Sequence, residues 1–268
     1  MVRSEWQVLD TGPGTGAFNM RLDEAIARAL QAGEGSPTLR LFRWDPWAIS
    51  LGHNQNPGDI DREACDRDGI DIVRRPTGGR AILHSEELTY SVVMEAGRRS
   101  ILDVYNEISR ALVRGLELFG VGVSLQKSQP DFREAYRHAS SIPCFTSSAR
   151  YEIEWEGRKL VGSAQRRFGD GECDVVLQHG SILCGPAHRR LVEYLAPHDG
   201  GLREKLRREM DEKTVDLSFI LGRPVEPAAL APSILQGFRE ILGIPVGVAP
   251  AGRSVAERTL QADSGSAE

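Results

Sequence analysis

Short alternating runs of apolar residues, broken by turn residues and interleaved with helical repeats, fill most of this chain. Residues 6–10 read as a first strand, and a glycine-rich connection leads to a helix near 17–30 with apolar positions at Met20, Ala25, Ile26 and Leu30. Residues 39–44 alternate as a strand and 48–52 make the next. Asp59 or Asp61 caps a short helix that ends near Asp68. Strands are expected at 70–73, 81–84 and 88–94. A helix over 101–119 follows from Ile101, Val104, Tyr105, Ile108, Leu112 and Leu116. Residues 124–148 are weakly patterned. Residues 151–155 and 160–167, joined at Glu156-Gly157, read as a hairpin, and 175–184 as a further strand. Helical patterns occupy roughly 187–195, 202–212 and 227–242. Beyond Gly243 the chain turns rich in Gly, Ala, Pro and Ser. The expected fold is α+β, a mixed, largely antiparallel sheet flanked by helices. One domain is expected over residues 1–243, with a helical C-terminal subregion from about 187 and a flexible tail over 244–268.

Composition narrows the classes. The 268 residues are 40% hydrophobic and 26% charged, as in an ordinary globular protein. A net charge of −5 argues against general nucleic-acid binding. Apolar runs are too short for a transmembrane helix, and the N-terminus lacks a signal-peptide core, so no membrane association is expected. Four widely spaced cysteines, none in Cys-x-x-Cys, suggest reduced thiols in a cytoplasmic protein without a metal site. No coiled-coil seam demands a dimer, and a monomer is the expectation.

The candidate chemistry gathers in a few places. Gly12-Pro13-Gly14-Thr15-Gly16 hints at a phosphate loop, but no Gly-Lys-Ser/Thr follows and Pro13 lacks an amide; a strand-to-helix connection explains it. Arg74 and Arg75 lead into Pro76-Thr77-Gly78-Gly79-Arg80, with His84 shortly after. This is either a hairpin turn with exposed arginines, or a loop whose Gly78, Gly79 and Arg80 amides donate to a carbonyl or phosphate. Cys144 follows Pro143 in a polar stretch that leaves a thiol reachable; Cys65, Cys173 and Cys184 look less suited. Lys159 precedes Gly162, Ser163 and Ala164, small residues against which a narrow ligand could lie, though an exposed hairpin lysine fits the local sequence as well. His84 and His179 stand on strands as possible hydrogen-bonding or acid–base groups, or as structural histidines.

Three segments together resemble the lipoate/biotin protein ligase and octanoyltransferase superfamily. Arg74 to His84 is similar to its Arg-Arg-x-x-Gly-Gly acyl-site loop, and Lys159 to Ala164 to its Lys-x-x-Gly-Ser-Ala motif. Pro143-Cys144-Phe145 resembles the nucleophile segment of the LipM-type octanoyltransferases. The likeness runs from about Trp6 to about Gly243 and implies a mixed sheet with an acyl pocket beside the Gly-Gly loop. It implies Cys144 as nucleophile and Lys159 as the group contacting the acyl carbonyl, with no cofactor. It also implies an octanoyl-acyl-carrier protein as donor and a lipoyl domain, such as the glycine-cleavage H protein, as acceptor. Relatives often carry Asp after the loop histidine; here Ser85 follows His84, which weakens any His-Asp pair. Competing readings are an ATP-dependent lipoate–protein ligase, an amidotransferase between lipoyl domains, and a non-catalytic lipoyl-domain binding module. Arg80, where the amidotransferase loop usually has Leu, favours the carrier-dependent transferase.

Overall fold

The computed structural model describes residues 5–126, 152–169, 174–196 and 200–245, with 251, 258 and 260. Strand β1 (Gln7–Gly14) runs through the glycine-rich segment before helix α1 (Gly16–Gln31) begins. Thr15 caps α1 by accepting from the Phe18 amide, and the Gly16 amide donates to Asp71 at 3.1 Å. A protein carboxylate thus already occupies this helix start. Strands β2 (Thr38–Trp44) and β3 (Ala48–Leu51) follow, then α2 (Arg62–Asp68), capped by Asp61 and closed by Gly69 in the left-handed region. Next come β4 (Asp71–Arg74), β5 (Ile82–His84), β6 (Glu87–Glu95), α3 (Ile101–Leu118) and β7 (Ser124–Gln126). The hairpin β8 (Glu152–Trp155) and β9 (Arg158–Phe168) leads to β10 (Val175–Leu183). The stretch Pro186–Tyr194 takes its helical pattern as 3₁₀ turns. The chain closes with α4 (Gly200–Lys213), α5 (Leu217–Leu221) and α6 (Pro227–Leu242).

The strands form two sheets. The larger has the order β1-β2-β6-β10-β9-β8-β7, parallel only between β1 and β2. The smaller has the order β4-β3-β5, with β3 parallel to β4 and antiparallel to β5. The α+β, mostly antiparallel expectation therefore describes the protein.

Alternation along the large sheet sends Leu39, Leu41, Leu88, Tyr90, Val92, Val176 and Ile182 to one face, where α3 and α6 cover them. The two helices cross closely: a Cβ at Gly237 would stand 2.4 Å from the Ala111 carbonyl oxygen. The opposite face meets α1, which also touches β3 and β4 and so lies in the angle between the sheets. The expected C-terminal tail is tied down where it is described. Ala251 exchanges backbone hydrogen bonds with Val8 and Asp10 at the edge of β1, and Leu260 packs against the α1 cluster.

Candidate active site

The Gly-Gly loop is not a hairpin turn. β4 and β5 lie on opposite edges of β3, so residues 75–81 cross over the end of that strand. Arg75 is not an exposed ligand donor either. Arg75 is 3% exposed, and its guanidinium braces the loop from inside. It donates to Ser50 O and Oγ at 2.9 and 3.0 Å, to Gly78 O at 2.9 Å and to Arg80 O at 2.7 Å. Arg74 binds the carbonyls of Gly52, His53 and Gln55 at 2.8 to 3.0 Å and shapes the neighbouring loop. The two loops touch: a Cβ on Gly52 would lie 2.0 Å from the Gly79 carbonyl oxygen. Gly79 has φ +98°, a conformation that disfavours any side chain. With its carbonyls taken by arginines, the loop keeps its amides for something else. The Gly78 and Gly79 amides have no hydrogen-bond partner among the described residues.

Between the sheets lies a narrow, partly open pocket whose enclosed space is only about 20 Å³. The segments singled out in the sequence meet there: Arg75 and His84 from the loop region, Gly162, Ser163 and Ala164 from β9, and His179 from β10. Met20, Trp44 and Ile82 supply an apolar wall, and Ser50, Thr89 and Ser181 add hydroxyls that sequence reasoning missed.

Both histidines of the cavity are held by carboxylates, one distant in the chain and one close by. His179 Nδ1 lies 2.9 Å from Asp23 Oδ2 in α1, and its Nε2 lies 2.6 Å from Thr77 Oγ1. An ionised carboxylate only accepts, so Nδ1 carries the hydrogen and Nε2 accepts from the threonine. Burial pushes the His179 pKa down and outweighs the opposing pull of Asp23; Arg75 and His84 lower it further. Burial acts on Asp23 the other way, yet Arg40 at 2.7 Å and His179 hold its carboxyl below the usual range. Arg40 is itself fully buried, with its guanidinium 3.8 Å from the Phe42 ring centre.

His84 follows the same plan. Its Nδ1 is 2.8 Å from Glu87 Oε1, its Nε2 is 2.7 Å from Ser50 Oγ, and its ring stacks on Trp44 with centroids 3.9 Å apart. The carboxylate missing at Ser85 is therefore supplied two positions later. Glu87 Oε1 also accepts from Thr89 and Ser181, at 2.7 and 2.6 Å. Burial would raise the Glu87 pKa, but His84 and these hydroxyls keep it below the usual value.

Lys159 is buried rather than an exposed hairpin residue. Its ammonium meets Glu152 at 2.6 Å, with the two side chains 5% and 7% exposed. Val161 pairs with Ile153 but Lys159 pairs with Glu154, so Leu160 is an extra residue on β9. Strict alternation would set Lys159 on the face of Val161. The bulge turns it to the face that carries Gly162 and Ala164. Lys159 does not line the cavity, nor do Arg74, Thr77, Gly78, Gly79 and Arg80; Thr77, Gly78 and Arg80 touch its lining residues His179 and Arg75. Tyr151, Cys144 and Cys173 lie outside the described residues. Cys65 and Cys184 are buried thiols whose pKa values burial pushes up to about 11 and about 12. Both are poorly suited to forming a thiolate. Among the described residues no group of three His, Cys, Asp or Glu side chains could hold a metal ion, and no helix is long and apolar enough to cross a membrane.

Residues 15–239 match the lipoyl protein ligase A/B catalytic domain family. The chain belongs to this family. It is similar to the octanoyltransferase LipM of Kyrpidia tusciae, 42% identical over 243 residues that cover 89% of this chain and 87% of the relative. It is 40% identical to the octanoyltransferase LipM of Symbiobacterium thermophilum over 246 residues, 91% of this chain and 88% of that one. Among solved structures, the fold matches a bi-partite lipoate protein ligase from Thermoplasma acidophilum. That match has a TM-score of 0.74 at 21% identity and covers 97% of this chain and 93% of the other. A lipoate-protein ligase A bound with ATP superimposes with a TM-score of 0.71 at 20% identity, over 97% and 95% of the two chains. The lipoyl-ligase family and fold read in the sequence are those of the protein.

Proposed function

We propose that this chain is an octanoyltransferase of lipoate biosynthesis that moves an octanoyl group from an acyl-carrier protein to the lysine of a lipoyl domain, through a thioester on Cys144. Octanoyltransferase relatives covering nine-tenths of the chain give the reaction its class. The observation that supports a place for it is the single cavity shared by Arg75, His84, Gly162, Ser163, Ala164 and His179. A linear acyl chain fits an apolar, narrow slot floored by small residues; a bulky or charged group does not.

In the first step the Cys144 thiolate attacks the donor thioester, the bond to the carrier sulfur breaks and the carrier leaves as a thiol. In the second, the unprotonated acceptor lysine attacks the acyl-Cys, and the bond to the Cys144 sulfur breaks as the amide forms. Thioester exchange is nearly isoenergetic and aminolysis of a thioester is downhill, so ATP is not needed. Lys159 and the Gly78 and Gly79 amides would face the oxyanion in both steps. Glu152 keeps the Lys159 ammonium aimed until the carbonyl arrives. The glycine-cleavage H protein is the acceptor we would offer first.

The test is a transfer assay with octanoyl-acyl-carrier protein and a lipoyl-domain acceptor, read as a mass increase on the acceptor. Labelling of the acceptor lysine without ATP is expected. Labelling only from free octanoate or lipoate plus ATP would make the chain a ligase. Binding of the acceptor with no labelling under either condition would make it a binding module.

A further inference from the structure

We propose that Ser50, His84 and Glu87 form a second acyl-accepting centre, a serine–histidine–carboxylate triad inside the cavity that slowly hydrolyses a bound acyl thioester. It rests on the reading that the cavity takes an octanoyl thioester.

The geometry has the order that nucleophilic serine chemistry needs. Ser50 Oγ stands 2.7 Å from His84 Nε2, and His84 Nδ1 stands 2.8 Å from Glu87 Oε1. Glu87 can only accept, so the imidazole hydrogen sits on Nδ1 and the Nε2 lone pair faces the serine hydroxyl. Ser181 and Thr89 fix the carboxylate and the Trp44 ring fixes the imidazole plane, so each member is oriented by packing as well as by its neighbour. Antiparallel pairing explains the alignment: Ser50 opposes Ile82 and Ala48 opposes His84, which sets Ser50 and His84 diagonally on one face of the small sheet.

A control lies in the same protein. Thr77, His179 and Asp23 repeat the hydroxyl–histidine–carboxylate order, and both hydroxyls are fully buried, but Thr77 does not line the cavity. Ser50 does. An electrophile is also in place. Arg75 Nη1 lies 3.0 Å from Ser50 Oγ, while Nη2 of the same guanidinium reaches the Gly78 carbonyl at 2.9 Å. The Gly78 and Gly79 amides, without a hydrogen-bond partner among the described residues, thus lie on the loop that this guanidinium ties to the serine.

In the reaction, Ser50 Oγ attacks the thioester carbonyl as its proton passes to His84 Nε2. The carbon–sulfur bond breaks, and the leaving thiolate takes that proton. Water, deprotonated by His84, then attacks the Ser50 ester; the carbon–Oγ bond breaks, Ser50 recovers its proton, and the free fatty acid leaves.

The experiment mixes octanoyl-acyl-carrier protein, without acceptor, with the full chain carrying Cys144→Ala, alone and combined with Ser50→Ala or Glu87→Gln. It reads octanoate release and the intact mass of the protein. Circular dichroism melting confirms that each variant is folded, and Ser50→Cys in the Cys144→Ala background gives a second readout as an octanoyl thioester on residue 50. The expected result is octanoate release at least tenfold above a no-enzyme control in Cys144→Ala. Ser50→Ala should return it to background, and Glu87→Gln should bring it close to background. No release and no adduct in Cys144→Ala, with wild type acylated on Cys144, would overturn the triad and leave the proposed function standing. Release that survives Ser50→Ala would overturn it too. If wild type is neither acylated nor able to transfer, both proposals fail together.

Discussion

The Arg75 guanidinium donates inside the protein to the carbonyls of Ser50, Gly78 and Arg80 and to the Ser50 hydroxyl. Removing the guanidinium leaves those acceptors buried without donors. Arg75→Met is expected to destabilise the fold by roughly 3 kcal/mol, measured by urea unfolding, and to lower transfer activity at least as severely. His179 gives a pH prediction. Its folded pKa lies below the unfolded value of about 6.5, so the unfolded chain binds the proton first. Its contribution is full above about pH 6.5 and is lost as pH falls toward the folded value. Urea unfolding between pH 8 and pH 5 should show stability falling on the acid side, with a flatter profile in His179→Gln. An unchanged profile in the variant would show that another group titrates there. At this scale the sequence pointed to Arg75, His84 and His179 but not to Asp23, Glu87 or Ser50. For Asp23 and Ser50 the reason is distance along the chain, since Asp23 and His179 are 156 residues apart and Ser50 and His84 are 34 apart; Glu87, three residues after His84, was within reach of the local sequence. One signal was present. Asp23 falls on the apolar stripe of its helix, three residues after Met20 and four before Ala27, where a charge requires a buried partner.

The elements themselves were legible wherever the apolar period was regular. The helices at Gly16–Gln31, Ile101–Leu118 and Pro227–Leu242 and the strands of the central sheet fall within a few residues of their sequence expectations. Pairing was not legible. Nothing in Ile72-Val73 or Ile82-Leu83 says that β3 will insert between them, and so a hairpin turn stands in the sequence as one of two readings of the Gly-Gly loop. The β9 bulge was equally hidden, because one extra residue leaves the apolar pattern intact while it reverses the direction of Lys159. That reversal leads to a prediction. Lys159→Met leaves Glu152 buried without its ammonium and should cost roughly 3 to 5 kcal/mol. Adding Glu152→Leu should recover most of that stability while activity stays lost. Recovery of neither would mean that the pair is held by more than its mutual charge.

At the scale of the molecule, one apolar core links the central sheet to α3 and α6, and the candidate cavity lies on the opposite face against α1 and the small sheet. The close crossing of α3 and α6 tests that division. Gly237→Ala, with 2.4 Å available to its methyl group, should cost about 1 to 3 kcal/mol in thermal unfolding while leaving KM for the acyl donor unchanged. A raised KM would show that the two faces are coupled. The account as a whole turns on Cys144. The most direct measurement is intact-protein mass spectrometry after mixing with octanoyl-acyl-carrier protein in the absence of ATP. An octanoyl adduct on the wild-type protein that hydroxylamine removes, and that is missing from Cys144→Ser after the same treatment, is the predicted result. A wild-type protein that stays unmodified yet labels a lipoyl domain when given free acid and ATP would contradict it.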